Sequence, residues 1–226
     1  AILKTGNLVN TEPDLMVDVS AVSETFSLTG AEPLHFLVKK FLPYEKAPAI
    51  LLGNIANFFL DELMHDPNAA FPALIRQAFL LDPLVFSTLD DQTVKEIAAK
   101  AQKHFVNLKM MVDSGFSAQG ITAADCLLEP SFFSETHGLQ GRLDVFCKNP
   151  AQPAIVELKS GKAFAPNSYG IGVSHFIQTL LYDLLVKSVF QKKLLPANFI
   201  LYSSAEVEPL KFAPVVAAQQ LEALQV

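Results

Sequence analysis

The periodicity of apolar residues changes near Gly120, and this change constrains the fold more than any other feature of the 226-residue sequence. Before Gly120, apolar positions at helical spacing predict helices at residues 49–64 and 91–112, with Asp90 or Asp91 as the cap of the second. After Gly120, short runs of branched and aromatic residues predict a three-stranded antiparallel meander at residues 126–133, 139–148 and 154–159.

The two ends of the chain complete the predicted architecture. Alternation at residues 15–20 predicts a strand followed by a helix. Residues 171–190, 199–203 and 215–224 predict a long helix, a short strand and a closing helix. This order of elements predicts an α/β fold, in which a mixed β-sheet is flanked by helices. We expect residues 1–45 to form an N-terminal extension that packs on a core domain at residues 46–226.

Proline residues mark the predicted helix boundaries. Pro43 and Pro48 bracket a loop, and Pro67 ends the helix at residues 49–64. Pro72 can begin the next helix, because proline is tolerated in the first turn of a helix, and Asp82-Pro83 marks another boundary. The helix at residues 49–64 is apolar on most faces, so we expect it to be buried.

The composition indicates a compact protein. Half of the residues are hydrophobic and 18% are charged, which excludes intrinsic disorder. The longest apolar stretches, such as residues 50–60, are interrupted by Asn54 and Asn57 and are shorter than the roughly 20 residues that cross a bilayer. We therefore expect a soluble protein without a membrane partner.

Cysteine usage and the N-terminal segment indicate the compartment. Cys126 and Cys147 are the only cysteines, and the 20 residues between them match no zinc or iron–sulfur spacing. No basic segment with an apolar core and a cleavage site follows Ala1, so we expect no secretory signal. The expectation is a reducing, cytoplasmic location without a structural disulfide.

The net charge of −6 and the pI near 5.3 count against broad, nonspecific binding to nucleic acid. That kind of binding depends on many lysine and arginine contacts to phosphates. A bound divalent cation would invert the charge of a carboxylate site, and a neighbouring domain could supply basic residues. The charge therefore leaves a metal-dependent enzyme acting on nucleic acid open.

The predicted strands at residues 139–148 and 154–159 bring three ionisable residues together. Alternation places Glu157 and Lys159 on one face of the second strand, and the hairpin returns the chain so that Asp144 lies beside Glu157. Buried charges cost several kcal/mol unless they pair with each other or with a metal. The arrangement therefore indicates a functional site, although a solvated strand face with alternating charges would look similar.

A divalent cation is the usual way to hold two neighbouring carboxylates. The donors are all oxygen, namely Asp144, Glu157 and the backbone carbonyl of Leu158, with waters, so Mg²⁺ or Mn²⁺ is expected. Such an ion polarises a phosphodiester and activates water against it. Lys159 would orient that water or offset the negative charge of the transition state. The predicted reaction is hydrolysis of a phosphodiester bond.

Three segments resemble, in order and spacing, the motifs of RecB-like nucleases of the PD-(D/E)xK superfamily: GLQGRLD at 138–144, AIVELKSGK at 154–162 and HFIQTLLYDLL at 175–185. They look most like the nuclease modules of Okazaki-flap helicase-nucleases, with CRISPR-adaptation exonucleases as relatives. The resemblance implies a restriction-endonuclease-like fold in which Asp144 and Glu157 bind metal and Lys159 is catalytic. It also implies that Gln178 and Tyr182 help to position single-stranded DNA, with a helicase partner or domain and a role in DNA repair or replication.

The resemblance extends to the helix at residues 49–64. RecB-like nucleases carry Gly-x-x-x-His on this helix with an acidic residue four positions later, and here the matching residues are Gly53, Asn57 and Asp61. Asn57 can offer a carbonyl oxygen to Mg²⁺ but is a poorer ligand than imidazole for Mn²⁺, so altered metal preference or reduced activity is open. Many flap-type relatives also hold an iron–sulfur cluster on four cysteines, which this chain is expected to lack because it has two.

Several residues near the site keep two interpretations. Arg142 is either a phosphate clamp or a surface partner of an acidic residue, and Lys162 either contacts phosphate or is merely exposed. His175, one helical turn before Gln178, is either part of the site or a structural histidine. Tyr182 could also be a core residue whose hydroxyl is satisfied.

Three functional hypotheses follow. The leading one is a metal-dependent nuclease that hydrolyses DNA on single strands or at ends. The alternative is a catalytically weakened nuclease fold that binds nucleic acid or a protein partner without cutting, which Asn57 and the acidic charge motivate. The third is an unrelated α/β protein with a solvated charged face, in which Asp144 and Glu157 would lie far apart.

Overall fold

The computed structural model describes residues 2–4, 8–10, 16–42, 48–191 and 193–226. The loop predicted between Pro43 and Pro48 lies outside these residues, as does the start of the strand predicted at 15–20. The described helices are α1 (Val19–Ser23), α2 (Pro33–Lys40), α3 (Pro48–His65), α4 (Phe71–Phe79), α5 (Pro83–Thr88), α6 (Asp91–Met110), α7 (Phe116–Ala118), α8 (Val173–Val189) and α9 (Ala217–Gln225). The described strands are β1 (Ile2–Lys4), β2 (Leu8–Asn10), β3 (Val17–Asp18), β4 (Phe26–Ser27), β5 (Gly30–Ala31), β6 (Cys126–Leu128), β7 (Ser131–Ser134), β8 (Leu139–Arg142), β9 (Val145–Cys147), β10 (Ala154–Lys159), β11 (Ala197–Tyr202) and β12 (Leu210–Phe212).

A five-stranded mixed sheet forms the centre of the fold, in the order β12-β11-β10-β9-β6. Strands β10 and β11 run parallel and the other neighbours antiparallel. Helix α8 connects β10 to β11, because parallel neighbours need a crossover connection. The prediction of an α/β fold with a mixed sheet flanked by helices is confirmed, although β12 was not predicted.

Two helical layers bury the two faces of this sheet. Helices α3 and α6 pack on each other, with the ring of Phe59 edge-on to that of Phe105, and cover the face that carries Val156 and Leu158. Helix α8 covers the opposite face, which carries Ile155. The alternation predicted for residues 154–159 is therefore confirmed, because opposite faces of β10 enter different cores.

The helices follow the predicted boundaries closely. Asp90 caps α6 by accepting a hydrogen bond from the Thr93 backbone N–H at 2.9 Å, and a π-helical turn at Met111–Gly115 continues it into α7.

Within the described residues, no helix combines the length and apolar character that a membrane span requires.

The predicted three-stranded meander is wrong in one respect, because two of its strands are broken by a shared bend. Strands β6 and β9 belong to the central sheet, whereas β7 and β8 pair with each other in a second sheet, where β3 lies parallel to β8. The register is the same on both sides of the bend, since Leu128 faces Val145 and Ser131 faces Arg142. No residue is inserted in either strand, so the hairpin bends without a β-bulge.

The bend has a local cause. Pro130 has no N–H to donate, and Glu129 before it adopts a left-handed conformation with φ of 49°. Two backbone hydrogen bonds still cross the bend, from Glu129 N to Asp144 O at 2.9 Å and from Leu143 N to Pro130 O at 3.1 Å. Asp144 is therefore held at the fold of the hairpin.

The predicted strand at residues 15–20 is shorter in the structure. Strand β3 covers Val17–Asp18, and α1 begins at Val19 because the Asp18 carboxylate accepts a hydrogen bond from Ser20 N at 2.8 Å. Val19 and Val22 of α1 are buried against α8. This segment therefore closes one side of the site described next.

Candidate active site

The bend places two carboxylates against each other. Val145 pairs with Val156, so Asp144 stands opposite Glu157 in the continued register. The Asp144 carboxylate also accepts a 2.6 Å hydrogen bond from the backbone N–H of Leu158, which ties it to β10. The hypothesis of an unrelated α/β protein expected the two acids to be far apart, and the structure brings them together.

Lys159 is held by two oxygen atoms on different elements. Its Nζ atom donates to Glu157 Oε1 at 2.9 Å and to Gln178 Oε1 of α8 at 2.7 Å. The ammonium group is therefore fixed between strand and helix, and it faces α8 together with Glu157.

Gln178 is the centre of this hydrogen-bond network. Its Nε2 atom donates to Glu157 Oε1 at 2.8 Å and to the Tyr182 hydroxyl at 3.1 Å. The Tyr182 hydroxyl in turn donates to the backbone carbonyl of Arg142 at 2.8 Å, just before the bend. Gln178 and Tyr182 are 5% and 3% exposed, so in this conformation their polar atoms contact protein groups. The DNA contact implied by the resemblance stays a prediction.

Burial and mutual repulsion perturb the acids. Burial, and then the charge of Glu157, raise the pKa of Asp144 well above its ordinary value, against the opposing effect of the Leu158 N–H. Burial raises the pKa of Asp61 on α3 to about 6, and the Glu129 carboxylate adds to this effect. Burial lowers the pKa of Lys159, but the charge and hydrogen bond of Glu157, together with the charges of Asp144 and Tyr202, outweigh it, so the pKa is raised. The cationic side chains of the site therefore do not balance the negative charge of its carboxylates.

One oxygen of the site has no partner. Glu157 is 4% exposed, and its Oε2 atom is buried without a hydrogen bond among the described groups, although Oε1 accepts two. Such an orphan carboxylate oxygen beside a second carboxylate fits a divalent cation that prefers oxygen donors.

The donor set also restricts the kind of metal. Asp61 acts electrostatically on Asp144, yet in the described ranges no three His, Cys, Asp or Glu side chains converge on one point. Mg²⁺ is bound through one or two carboxylates and keeps several waters, whereas structural zinc needs four protein ligands. The residues present therefore fit Mg²⁺ or the similar Mn²⁺.

A polar groove of about 710 Å³ lies at the end of β10, where Leu158 and Lys159, the two residues that follow Glu157, line it. Asn57 lies on its wall together with Leu158 and Lys159, which is the side that the earlier-helix motif predicts. Ser20 and Glu24 also line it, although no motif or spacing in the sequence indicates them. The remaining lining residues include Asn54, Ser160, Lys162 and His175.

Two glycines of the sequence motifs permit close packing at the site. A Cβ atom at Gly141 would lie 2.7 Å from Cε1 of Tyr182, so only glycine lets the tyrosine ring cross the strand here. A Cβ atom at Gly53 would lie 3.3 Å from Oγ of Ser160, where α3 approaches the end of β10. The close approach of Tyr182 explains the glycine at position 141, and the tight contact with Ser160 favours the glycine at position 53.

The remaining predicted residues lie at the edge of the site. The Arg142 guanidinium is 3.3 Å from the Glu129 carboxylate, which matches the surface-partner alternative, while Lys162 is exposed on the groove wall. His175 Nδ1 lies 2.9 Å from the Tyr202 hydroxyl. Burial lowers the pKa of His175 to about 4, with a smaller effect from Lys159, so the ring is neutral near pH 7. Phosphate contacts by Arg142 and Lys162 stay predictions.

Comparison with known proteins identifies the fold. No protein-family model and no curated protein sequence matches the chain. Among solved structures, the chain is similar to a protein from Eubacterium rectale that is provisionally named an exonuclease. The TM-score is 0.58 at 17% sequence identity, over 97% of this chain and 82% of that one. The two proteins therefore share a fold.

Proposed function

We propose that the chain is a divalent-metal-dependent nuclease that hydrolyses phosphodiester bonds in DNA, on single strands or at ends. The observation that carries this proposal is the buried, unpartnered Oε2 atom of Glu157, beside Asp144 and two residues before Lys159, whose ammonium group donates to the other oxygen of the same carboxylate. The motif resemblance supports it independently, and the provisional exonuclease from Eubacterium rectale supports it at the level of fold.

The metal site would use groups that the fold already holds in place. Asp144, Glu157 and the Leu158 carbonyl would hold Mg²⁺ or Mn²⁺, with Asn57 reaching in from α3. When bound, such an ion supplies Lewis-acid activation of a phosphodiester and of water. The two acids are kept together by the Leu158 N–H on one side and by Gln178 on the other, so binding would require little rearrangement.

Lys159 would act on the charge that develops during phosphodiester cleavage. The neighbouring carboxylates favour its charged form and raise its pKa, so the ammonium group can orient a water molecule or stabilise negative oxygen. Gln178 fixes the Nζ position, and Tyr182 fixes Gln178 and the strand before the bend. We assign both residues a positioning role.

The groove lined by Leu158 and Lys159 would receive the strand. The described lining of the groove has few cations, in agreement with the net charge of −6. We therefore favour local phosphate contacts over an extended basic track. Lys162 would make one such contact, and Arg142 would make another after its ion pair with Glu129 breaks. We further propose a helicase partner or domain, a role in DNA repair or replication, and a cytoplasmic location.

Cleavage of labelled single-stranded DNA with Mg²⁺ or Mn²⁺ tests the proposal. Lys159→Ala should lower the rate about 10²- to 10³-fold, because one stabilising donor in the transition state is lost. Lys148→Ala is the matched control, since Lys148 is an exposed lysine just beyond β9. A Lys159→Ala variant that cleaves the DNA as fast as wild type and Lys148→Ala would contradict the assignment.

Asn57 favours a second candidate, a nuclease fold that binds nucleic acid or a protein without cutting it. The amide occupies the groove wall where RecB-like nucleases carry histidine, beside Leu158 and Lys159. If wild-type protein binds DNA but leaves it intact, Asn57→His should restore cleavage with Mn²⁺, because imidazole is the better ligand for that ion. Wild-type cleavage comparable to that of Asn57→His would exclude this candidate.

A further inference from the structure

A second cavity, of about 500 Å³, adjoins the groove. It lies between the turn that joins β4 to β5 and the loop that leads from β10 to α8. Lys162 and His175 line both spaces, so they form the boundary between the cavity and the groove. Two of its lining residues are large and apolar yet strongly exposed, Phe164 at 80% and Leu28 at 61%. The catalytic residues do not explain why these side chains face solvent.

We propose that this cavity binds one unstacked nucleobase of a single strand, next to the phosphodiester in the groove; this rests on the proposed function. The apolar side chains of Phe164 and Leu28 suit the faces of a base, since every base offers a π-face to an aromatic ring. Ser27, Thr29 and Ser174 line the same cavity. The hydroxyls of Ser27 and Thr29 bond to each other and to Gly30 and Glu32, so Ser174 is the residue that suits the polar edge of a base.

The charge between the two spaces supports this occupant. Lys162 is exposed at the junction, where the phosphate that links two successive nucleotides would pass from groove to cavity. An apolar peptide would offer Lys162 no anionic group, and a bare phosphate would leave the Phe164 ring uncovered. A nucleotide offers a phosphate to Lys162 and a base to Phe164.

The geometry selects single strands. A base can enter a lateral cavity only after it leaves its stack, which in a duplex costs a few kcal/mol and in a single strand costs much less. The cavity therefore gives a physical reason for a single-strand preference that does not depend on the metal site.

Binding of a fluorescein-labelled thymidine 12-mer, measured by anisotropy with Ca²⁺ in place of Mg²⁺, tests the subsite. Phe164→Ala should weaken binding about tenfold, because one base–aromatic stack is lost. Phe164→Tyr should bind like wild type, since the ring is retained. Leu84→Ala is the matched control, because Leu84 on α5 is 80% exposed and lies outside both spaces.

A second probe separates this proposal from the first. A 12-mer with abasic sites throughout should bind wild type about as weakly as the normal 12-mer binds Phe164→Ala, and the variant should not distinguish the two. If Phe164→Ala binds the thymidine 12-mer as tightly as wild type, the subsite is overturned, even where cleavage shows that the nuclease proposal stands. If the affinity difference is found but no cleavage occurs with any metal, the subsite stands and the nuclease proposal fails.

Discussion

The Nζ atom of Lys159 lies 2.7 Å from Oε1 of Gln178, which belongs to a helix that begins 14 residues after the end of β10. This contact makes the position of the ammonium group a property of the packing of α8 on the sheet. Because Gln178 also donates to Glu157, one buried amide holds both Glu157 and Lys159.

We expect Gln178→Ala to lower kcat for DNA cleavage by about 10- to 100-fold with a much smaller effect on KM. The variant removes a group that holds Lys159 and Glu157 and that need not contact DNA, and small misplacement of a catalytic group can cost about 10²-fold. Steady-state kinetics measure the split. Gln140→Ala, an exposed glutamine on β8, is the matched control. A rise in KM with unchanged kcat would instead indicate direct DNA contact.

Gly141→Ala should destabilise the protein by about 1–3 kcal/mol, the usual cost of overpacking. The new Cβ atom would lie 2.7 Å from the Tyr182 ring and 3.4 Å from Val19, so the ring or α1 must move. Urea unfolding followed by circular dichroism measures the change. Gly161→Ala is the control, because a Cβ atom there meets nothing within 4 Å. Equal stabilities for the two variants would show that the Tyr182 ring adapts freely.

Mn²⁺ should raise the melting temperature of the wild-type protein. A ligand that binds only the folded state at 100 times its Kd stabilises it by about 2.7 kcal/mol. Asp144→Asn and Glu157→Gln should lose this shift, since each removes a carboxylate from the site. Differential scanning fluorimetry with EDTA as the reference measures it. An equal Mn²⁺ shift in both variants would place the ion elsewhere.

In metal-free protein, stability should fall as the pH rises from about 4 to about 6. The pKa of Asp61 is about 6 in the folded protein and near 3.8 in the unfolded chain, so the folded state binds more protons in this window. Asp61→Asn should flatten the dependence, and its advantage over wild type should be largest above pH 6. Urea unfolding in EDTA between pH 4 and pH 8 tests this. A wild-type slope retained in the variant would contradict the role of Asp61.

Local patterns in the sequence predicted the elements that carry the site. The apolar spacing of residues 49–64 and 171–190 predicted α3 and α8 within a few residues of their observed ends. Alternation in β10 predicted that Glu157 and Lys159 share a face. These features are readable because a helix or strand places its own side chains through its local geometry, whatever it packs against. The functional roles of Asn57, Arg142, Lys162 and the site as a whole remain predictions.

Contacts between distant parts of the chain decided the rest. The bend at Glu129 and Asp144 is shared by two strands, so neither strand's sequence predicted it. Helical spacing predicted that Gln178 and Tyr182 face the site, but only the packing of α8 on the sheet decided that their polar atoms contact Lys159, Glu157 and the strand before the bend. Periodicity says which side of an element is apolar, whereas only the packed structure determines which atoms meet across two elements and which of them, like Glu157 Oε2, are left without a partner.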